Sequence, residues 1–143
     1  FWKRGLDFAH GTGHGVGYLS NVHERPNGLR WKVVPERQDS AVIEPGMICS
    51  DEPGLYFAGD FGTRTENLIL CVEDEKNEYG QFLKFEFLTK APIDLAALDT
   101  RFMDDADIER LNTYNKDVYE TISPYMNEEE KEWLKHVTRE ISR

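Results

Sequence analysis

The sequence is poor in cysteine and contains no long hydrophobic run. It has two cysteines, Cys49 and Cys71. Each lies inside an apolar stretch, which excludes a disulfide framework and favours reduced core residues. No stretch reaches the roughly 18–20 apolar residues of a membrane span, and the N-terminal segment lacks the basic start and apolar core of a signal peptide. We therefore expect a soluble, cytoplasmic protein.

An excess of basic side chains is also missing. The formal net charge is -10, and residues 72–143 carry most of the acidic excess. Such a surface repels phosphate backbones and anionic lipids, so it argues against nucleic acid and membranes as partners. The hydrophobic content of 39% still permits a packed core, and 143 residues suit one compact domain.

The order of the local patterns predicts an α+β fold in which strands precede helices. Residues 46–98 hold β-branched and aromatic runs, separated by turn residues, in "GMICSD", "GLYFAG", "TENLILCV" and "QFLKFEFLT". Apolar residues then recur at intervals of three and four, which predicts helices over 108–125 and 128–141. Asn127 is the expected N-cap of the second helix, because glutamates follow it.

A cluster of histidine and glycine is the most unusual feature of the chain. Three of the four histidines lie in "HGTGHGVGYLSNVHE", residues 10–24. The four-residue spacing of His10 and His14 would suit a metal pair on a helix, but each glycine between and beyond them costs a helix about 0.8–1 kcal/mol. We expect extended backbone, with both side chains on one side and open space around them. The alternative is that each histidine is merely hydrogen-bonded to its surroundings.

Two acidic residues next to apolar strands need a partner of opposite charge. Glu52 and Glu66 lie in "SDEPGLYFAGDFGTRTEN", residues 50–67, and a carboxylate near a core is costly unless it is paired or binds a metal. One interpretation is that His14, Glu52 and Glu66 converge on Mn, Zn, Co or Fe(II), since imidazole and carboxylate suit these ions. The other is an ion pair between Arg64 and Glu66.

The two motifs together resemble the pita-bread metallopeptidases, and among them the aminopeptidases P. The resemblance is to the C-terminal half of the catalytic domain, and it continues through "FLTKAPIDLAALD" into the helices. It implies half of a pita-bread fold, with a curved, largely antiparallel sheet and flanking helices. Residues 1–103 would belong to the catalytic domain, and residues 104–143 would form a helical extension packed on it.

The resemblance also implies a centre of two divalent metal ions, with Mn(II) first and Zn(II) or Co(II) as alternatives. His14 matches the family's histidine ligand, Glu52 a glutamate ligand, and Glu66 the glutamate that bridges the two ions. Arg64 matches a residue that orients the metal-binding carboxylates. The family's other two ligands are upstream aspartates with no counterpart here. We therefore expect a piece of a larger enzyme that is inactive by itself.

The implied activity is removal of the N-terminal residue from peptides with proline in second position. Glu52 matches the residue that shuttles a proton, and His10 and His23 match histidines that line the substrate pocket. The resemblance implies that His23 steadies the scissile carbonyl or the tetrahedral intermediate. The alternatives are a prolidase acting on Xaa-Pro dipeptides and a non-catalytic peptide-binding or scaffold module. The resemblance further implies a homodimer formed through C-terminal segments.

Overall fold

The computed structural model describes residues 1–143 and confirms the α+β fold with strands before helices. The strands are β1 (Gly13–Gly15), β2 (Glu24–Leu29), β3 (Ile48–Asp51), β4 (Gly54–Tyr56), β5 (Gly62–Arg64), β6 (Asn67–Asn77) and β7 (Gly80–Phe87). The α-helices are α1 (Asp105–Ile122) and α2 (Glu128–Val137). Short 3-10 helices span Trp2–Arg4, Pro35–Arg37, Leu95–Ala97, Thr100–Phe102 and Ser123–Tyr125. No helix is long and apolar enough to cross a membrane.

An antiparallel sheet of five strands forms the first part of the chain, in the order β2-β1-β3-β6-β7. Strands β4 and β5 pair separately as a two-stranded ribbon. Cys49 on β3 is opposite Ile69 on β6, and Cys49, Ile69 and Cys71 are buried. Both cysteines are free, so the prediction of reduced core cysteines is confirmed.

The glycine-rich segment forms the short strand β1, as the glycine pattern predicts, and not a helix. The reason is close backbone approach on both sides of the strand. A Cβ on Gly13 would stand 1.8 Å from the carbonyl oxygen of Ser50, and one on Gly15 would stand 2.2 Å from that of Glu24. Only glycine fits between these neighbours, and His14 is held between the two glycines.

Residues Lys90–Arg143 form a second compact unit, after the first unit Phe1–Thr89. Its core consists of Leu95, Leu111, Tyr114, Val118 and Leu134. The division lies ahead of the 103/104 boundary expected from the sequence. The physical reason is that Leu95, which precedes both α-helices, is buried in the same cluster as their side chains.

Both α-helices begin with a capping box. Asp104 and Asp107 exchange side-chain and backbone hydrogen bonds at the start of α1, and Asn127 and Glu130 do so at the start of α2. The prediction of Asn127 as N-cap is confirmed. Helix α2 ends at Val137 and not at Ile141 as expected, and the hydroxyl of the following residue, Thr138, donates to the Leu134 carbonyl at 2.7 Å.

We predict that Gly13→Ala lowers the free energy of unfolding by about 2–3 kcal/mol, because β1 and β3 must separate to admit the methyl group. Gly80→Ala is the matched control, since no atom lies within 4 Å of a Cβ built there and only its φ of +126° is unfavourable. We expect the control substitution to lower the free energy of unfolding by about 1 kcal/mol. Urea unfolding measures both values, and equal losses would contradict the close-approach explanation.

Candidate functional site

The centre of the candidate site is a contact between His14 and Glu52. The Nε2 atom of His14 lies 2.9 Å from Oε1 of Glu52, and both side chains are nearly buried. The other ring nitrogen of His14, Nδ1, lies 3.0 Å from the carbonyl oxygen of Gly15. A carbonyl can only accept a hydrogen bond, so Nδ1 carries a proton. Nε2 then either carries a second proton and donates it to Glu52, or has a lone pair that a metal ion can take up.

The Glu52 carboxylate is held from several directions. The hydroxyl of Ser50 donates to Oε1 at 3.0 Å, and the same hydroxyl accepts the backbone N–H of His14 at 3.0 Å. Arg64 contacts the second oxygen, with 3.1 Å between Nη1 and Oε2. The Arg64 ion pair is therefore made with Glu52 and not with Glu66, which answers the alternative left open by the sequence. Glu52 is 8% exposed, so its orientation is fixed by these partners.

A chain of hydrogen bonds connects Arg64 to His10 through Tyr56. Nε of Arg64 donates to the Tyr56 hydroxyl at 2.9 Å, and this hydroxyl lies 2.8 Å from Nε2 of His10. Nδ1 of His10 donates to the Gly11 carbonyl at 2.7 Å, so Nε2 is the acceptor and Tyr56 is the donor. The hydrogen bond to Tyr56 raises the pKa of Arg64, and the charges of Glu52 and Glu66 raise it further.

Tyr56 is a residue of this network that the sequence analysis missed. It lies two residues after Gly54 on β4, so the two positions share one face of the strand. A Cβ on Gly54 would stand 2.4 Å from the Tyr56 hydroxyl oxygen. The glycine therefore provides the space that the tyrosine occupies. The signal for Tyr56 was the run "GLY" that follows Glu52 and Pro53, which the sequence analysis interpreted only as a strand.

A cleft of ≈ 380 Å³ brings most of the predicted site residues together. Its walls include His10, His14, His23, Glu52 and Arg64. The rings of His14 and His23 have centroids 4.2 Å apart. The common orientation predicted for His10 and His14 agrees with their place in one cleft.

Glu66 is the predicted residue that the structure keeps apart from the cleft wall. It is exposed and directly precedes β6. No group of three or more His, Cys, Asp or Glu side chains stands close enough to hold a metal ion. The structure thus brings together two of the three predicted ligands, His14 and Glu52, while Glu66 acts on the site through its charge near Arg64.

Two further arginines that the sequence analysis did not single out line the cleft. Arg30 and Arg37 both contact Oδ2 of buried Asp39, at 2.9 and 3.1 Å from their Nε atoms. Burial by itself would raise the pKa of Asp39, but the hydrogen bonds from the two arginines outweigh it and hold the pKa below its usual value. The cleft is therefore walled by three guanidinium groups, of which Arg64 is the third. Nothing in "PERQDS" marked this cluster in advance.

Comparison with known proteins places the chain in a family. The profile of metallopeptidase family M24 matches residues 1–73, and that of the C-terminal region of peptidase M24 matches residues 81–141. The chain belongs to metallopeptidase family M24. This confirms the resemblance identified from the histidine, "DEPG" and "TRTEN" motifs.

Individual relatives carry the name aminopeptidase P. A probable Xaa-Pro aminopeptidase P of Ajellomyces capsulatus is 39% identical over 145 residues, covering 98% of this chain and 23% of the relative. Aminopeptidase P1 of Arabidopsis thaliana is 39% identical over 145 residues, covering 99% of this chain and 22% of the relative. The chain thus spans less than a quarter of the length of the curated relatives it matches.

A solved structure confirms the fold. The X-prolyl aminopeptidase of Caenorhabditis elegans, described as a cytosolic enzyme with a di-nuclear active site, superposes with a TM-score of 0.82 at 32% identity. The match covers 98% of this chain and 22% of that chain. The antiparallel sheet and helices are those of the pita-bread aminopeptidases, as the sequence predicted.

We predict that Tyr56→Phe breaks the connection between Arg64 and His10 without removing the His14–Glu52 contact. His10 then loses the hydrogen bond to Nε2. Its ring 15N resonances shift, because a nitrogen without a hydrogen bond has a different chemical shift from a hydrogen-bonded one. A two-bond 1H–15N spectrum of the histidine rings measures the change. Tyr79→Phe, on an exposed turn, is the control and should leave the spectrum unchanged. An unaltered His10 signal in Tyr56→Phe would disprove the hydrogen-bond chain.

Proposed function

We propose that this chain forms part of the active site of a metal-dependent Xaa-Pro aminopeptidase, a hydrolase that removes the N-terminal residue from peptides with proline second. The observation that carries the proposal is the His14–Glu52 contact, because an imidazole nitrogen and a carboxylate oxygen 2.9 Å apart in one cleft can share either a proton or a metal ion. Family membership supports a peptidase, and the names of the relatives support the Xaa-Pro class.

The donor set fits a divalent metal ion. In our proposal His14 offers Nε2 and Glu52 offers a carboxylate, and Glu66 is the third ligand by its position in "TRTEN". Two ions fit the di-nuclear site described for the worm enzyme, and we propose Mn(II), with Zn(II) or Co(II) also suited to nitrogen and carboxylate oxygen. When bound, such ions supply Lewis-acid chemistry to peptide hydrolysis.

The side chains of this chain take the remaining roles in the proposed reaction. The Glu52 carboxylate accepts a proton from the attacking water and passes it to the leaving proline nitrogen, as general base and then general acid. Ser50 and Arg64 keep that carboxylate in place. His23 steadies the scissile carbonyl, and His10, held by Tyr56, forms part of the substrate pocket.

Glycine-rich β1 suits a substrate whose scissile bond precedes proline. An Xaa-Pro bond is a tertiary amide without an N–H, so its site needs room for the pyrrolidine ring more than a backbone acceptor. The absence of side chains beside His14 provides such room. We further propose a cytoplasmic location and a homodimer for the full-length protein, the first in line with the worm enzyme described as cytosolic.

The alternatives to this function are a prolidase and a non-catalytic binding module. A prolidase would share the ligands and would cleave Xaa-Pro dipeptides, whereas an aminopeptidase P needs a longer peptide. A non-catalytic binding module would need neither a carboxylate fixed by three partners nor a histidine that points Nε2 at that carboxylate. We therefore favour the enzyme over the module.

We predict that the full-length, Mn(II)-loaded protein hydrolyses Ala-Pro-Ala and spares Ala-Pro, and that Glu52→Gln lowers kcat by at least about 100-fold, because the proton acceptor is lost. Glu86→Gln, on the exposed strand β7, is the control and should retain full activity. The release of free amino groups measures the rate of hydrolysis by the wild type and by both variants. Preference for the dipeptide would support a prolidase, and full activity in Glu52→Gln would contradict the assigned role.

A further inference from the structure

Strand β2 has a bulge directly opposite His14. His14 pairs with Gly28 of β2, but the next residue of β1, Gly15, pairs with Glu24. Residues 25–27 are therefore extra residues of β2 relative to β1. Such a bulge bends its strand and redirects a side chain, and bulges are over-represented next to active sites.

Asn27 is the buried residue of this bulge. It is 7% exposed, and its amide nitrogen Nδ2 donates to the backbone carbonyl of Ile48 at 3.0 Å and lies 2.9 Å from Sγ of Cys49. Both partners belong to β3. Since β1 lies between β2 and β3 in the sheet, the Asn27 side chain crosses β1 to reach them.

Gly15 provides the space for this crossing. A Cβ built on Gly15 would stand 2.8 Å from Oδ1 of Asn27 and 3.0 Å from the Asn27 carbonyl oxygen. The Asn27 side chain thus lies where any other residue at position 15 would place its own side chain. Gly15 is also the residue whose carbonyl accepts the Nδ1 proton of His14 at 3.0 Å. Asn27 therefore packs against the residue that orients the imidazole.

The carbonyl oxygen of Ile48 connects Asn27 to β1 a second time. This oxygen accepts the amide of Asn27 and also the backbone N–H of Val16, at 3.3 Å. The Val16 N–H and the Gly15 carbonyl belong to one planar peptide group. Fixing the N–H end of that group fixes the direction of its carbonyl, so the carbonyl that faces His14 depends on the contact between Ile48 and Asn27.

We propose that Asn27 is a positioning residue, which keeps the Gly15 carbonyl aligned with the imidazole of His14 and so directs Nε2 to Glu52. Asn27 acts through Gly15 and Ile48 and contacts no reacting group. The inference rests on the proposed function, in which His14 holds a metal ion. A purely structural Asn27 would tie β2 to β3 without any effect on the imidazole.

The test replaces Asn27 by leucine, which has a similar size and no hydrogen-bond donor. In the metal-free, full-length protein labelled with 15N-histidine, we expect the Nδ1 resonance of His14 to shift, because the carbonyl that accepts its proton is no longer held in place. We also expect Mn(II) to bind at least about tenfold more weakly, the loss typical of residues that orient a metal ligand. Ring 1H–15N spectra and a Mn(II) titration measure the two effects.

Asn115→Leu is the matched control. Asn115 is 1% exposed and lies on α1 in the unit Lys90–Arg143, so the same chemical change is made in a core that holds none of the site residues. The control should leave the His14 resonance and the Mn(II) affinity as in wild type. Asn27→Ser adds no bulk and is too short to reach Ile48, so we expect the same two effects from it, and it provides the test if Asn27→Leu does not fold.

The outcomes separate this inference from the proposed function. The inference is overturned if the His14 resonance or the Mn(II) affinity of the folded Asn27 variants equals that of wild type. Lower thermal stability with both values unchanged would show that Asn27 has a structural role alone. A wild-type protein that binds no Mn(II) and hydrolyses no Xaa-Pro peptide would overturn the proposed function, and the His14 resonance would still decide whether Asn27 orients the imidazole.

Discussion

The site depends on one electrostatic requirement, which is that two hydrogen-bond acceptors cannot face each other without a proton or a metal ion between them. The Gly15 carbonyl fixes the proton of His14 on Nδ1, and Glu52 presents Oε1 to Nε2 at 2.9 Å. The surrounding contacts serve this pair, because Ser50 and Arg64 fix the carboxylate while the short strand β1 fixes the imidazole. The arrangement is one in which a divalent cation can replace a proton.

The backbone around β1 makes that pairing available. Strand β1 lies between β2 and β3, and Gly13 lets it approach Ser50 so closely that any side chain would collide with the carbonyl. The same approach puts the His14 N–H on the Ser50 hydroxyl, which in turn reaches Glu52. Gly13 therefore helps to set the distance between His14 on β1 and Glu52, which directly follows β3.

Local sequence was sufficient for some of these features and not for others. Alternating glycine predicted the extended backbone at His14, and the capping residue Asn127 predicted the start of α2. Tyr56, Arg30 and Asp39 were not predicted, because their roles come from contacts with residues distant in sequence. The end of α2 at Val137 was also missed, since an apolar pattern continues to Ile141 while the backbone does not.

The most direct test of the account is the metal content of the full-length protein after Mn(II) loading and desalting, determined by elemental analysis. His136 lies on α2, outside the cleft, so His136→Gln is the matched control for His14→Gln. The account predicts that wild type and His136→Gln retain the metal, while His14→Gln binds it more than about tenfold more weakly. Metal retention by His14→Gln equal to that of wild type would contradict the claim that the His14–Glu52 pair is built to share a cation.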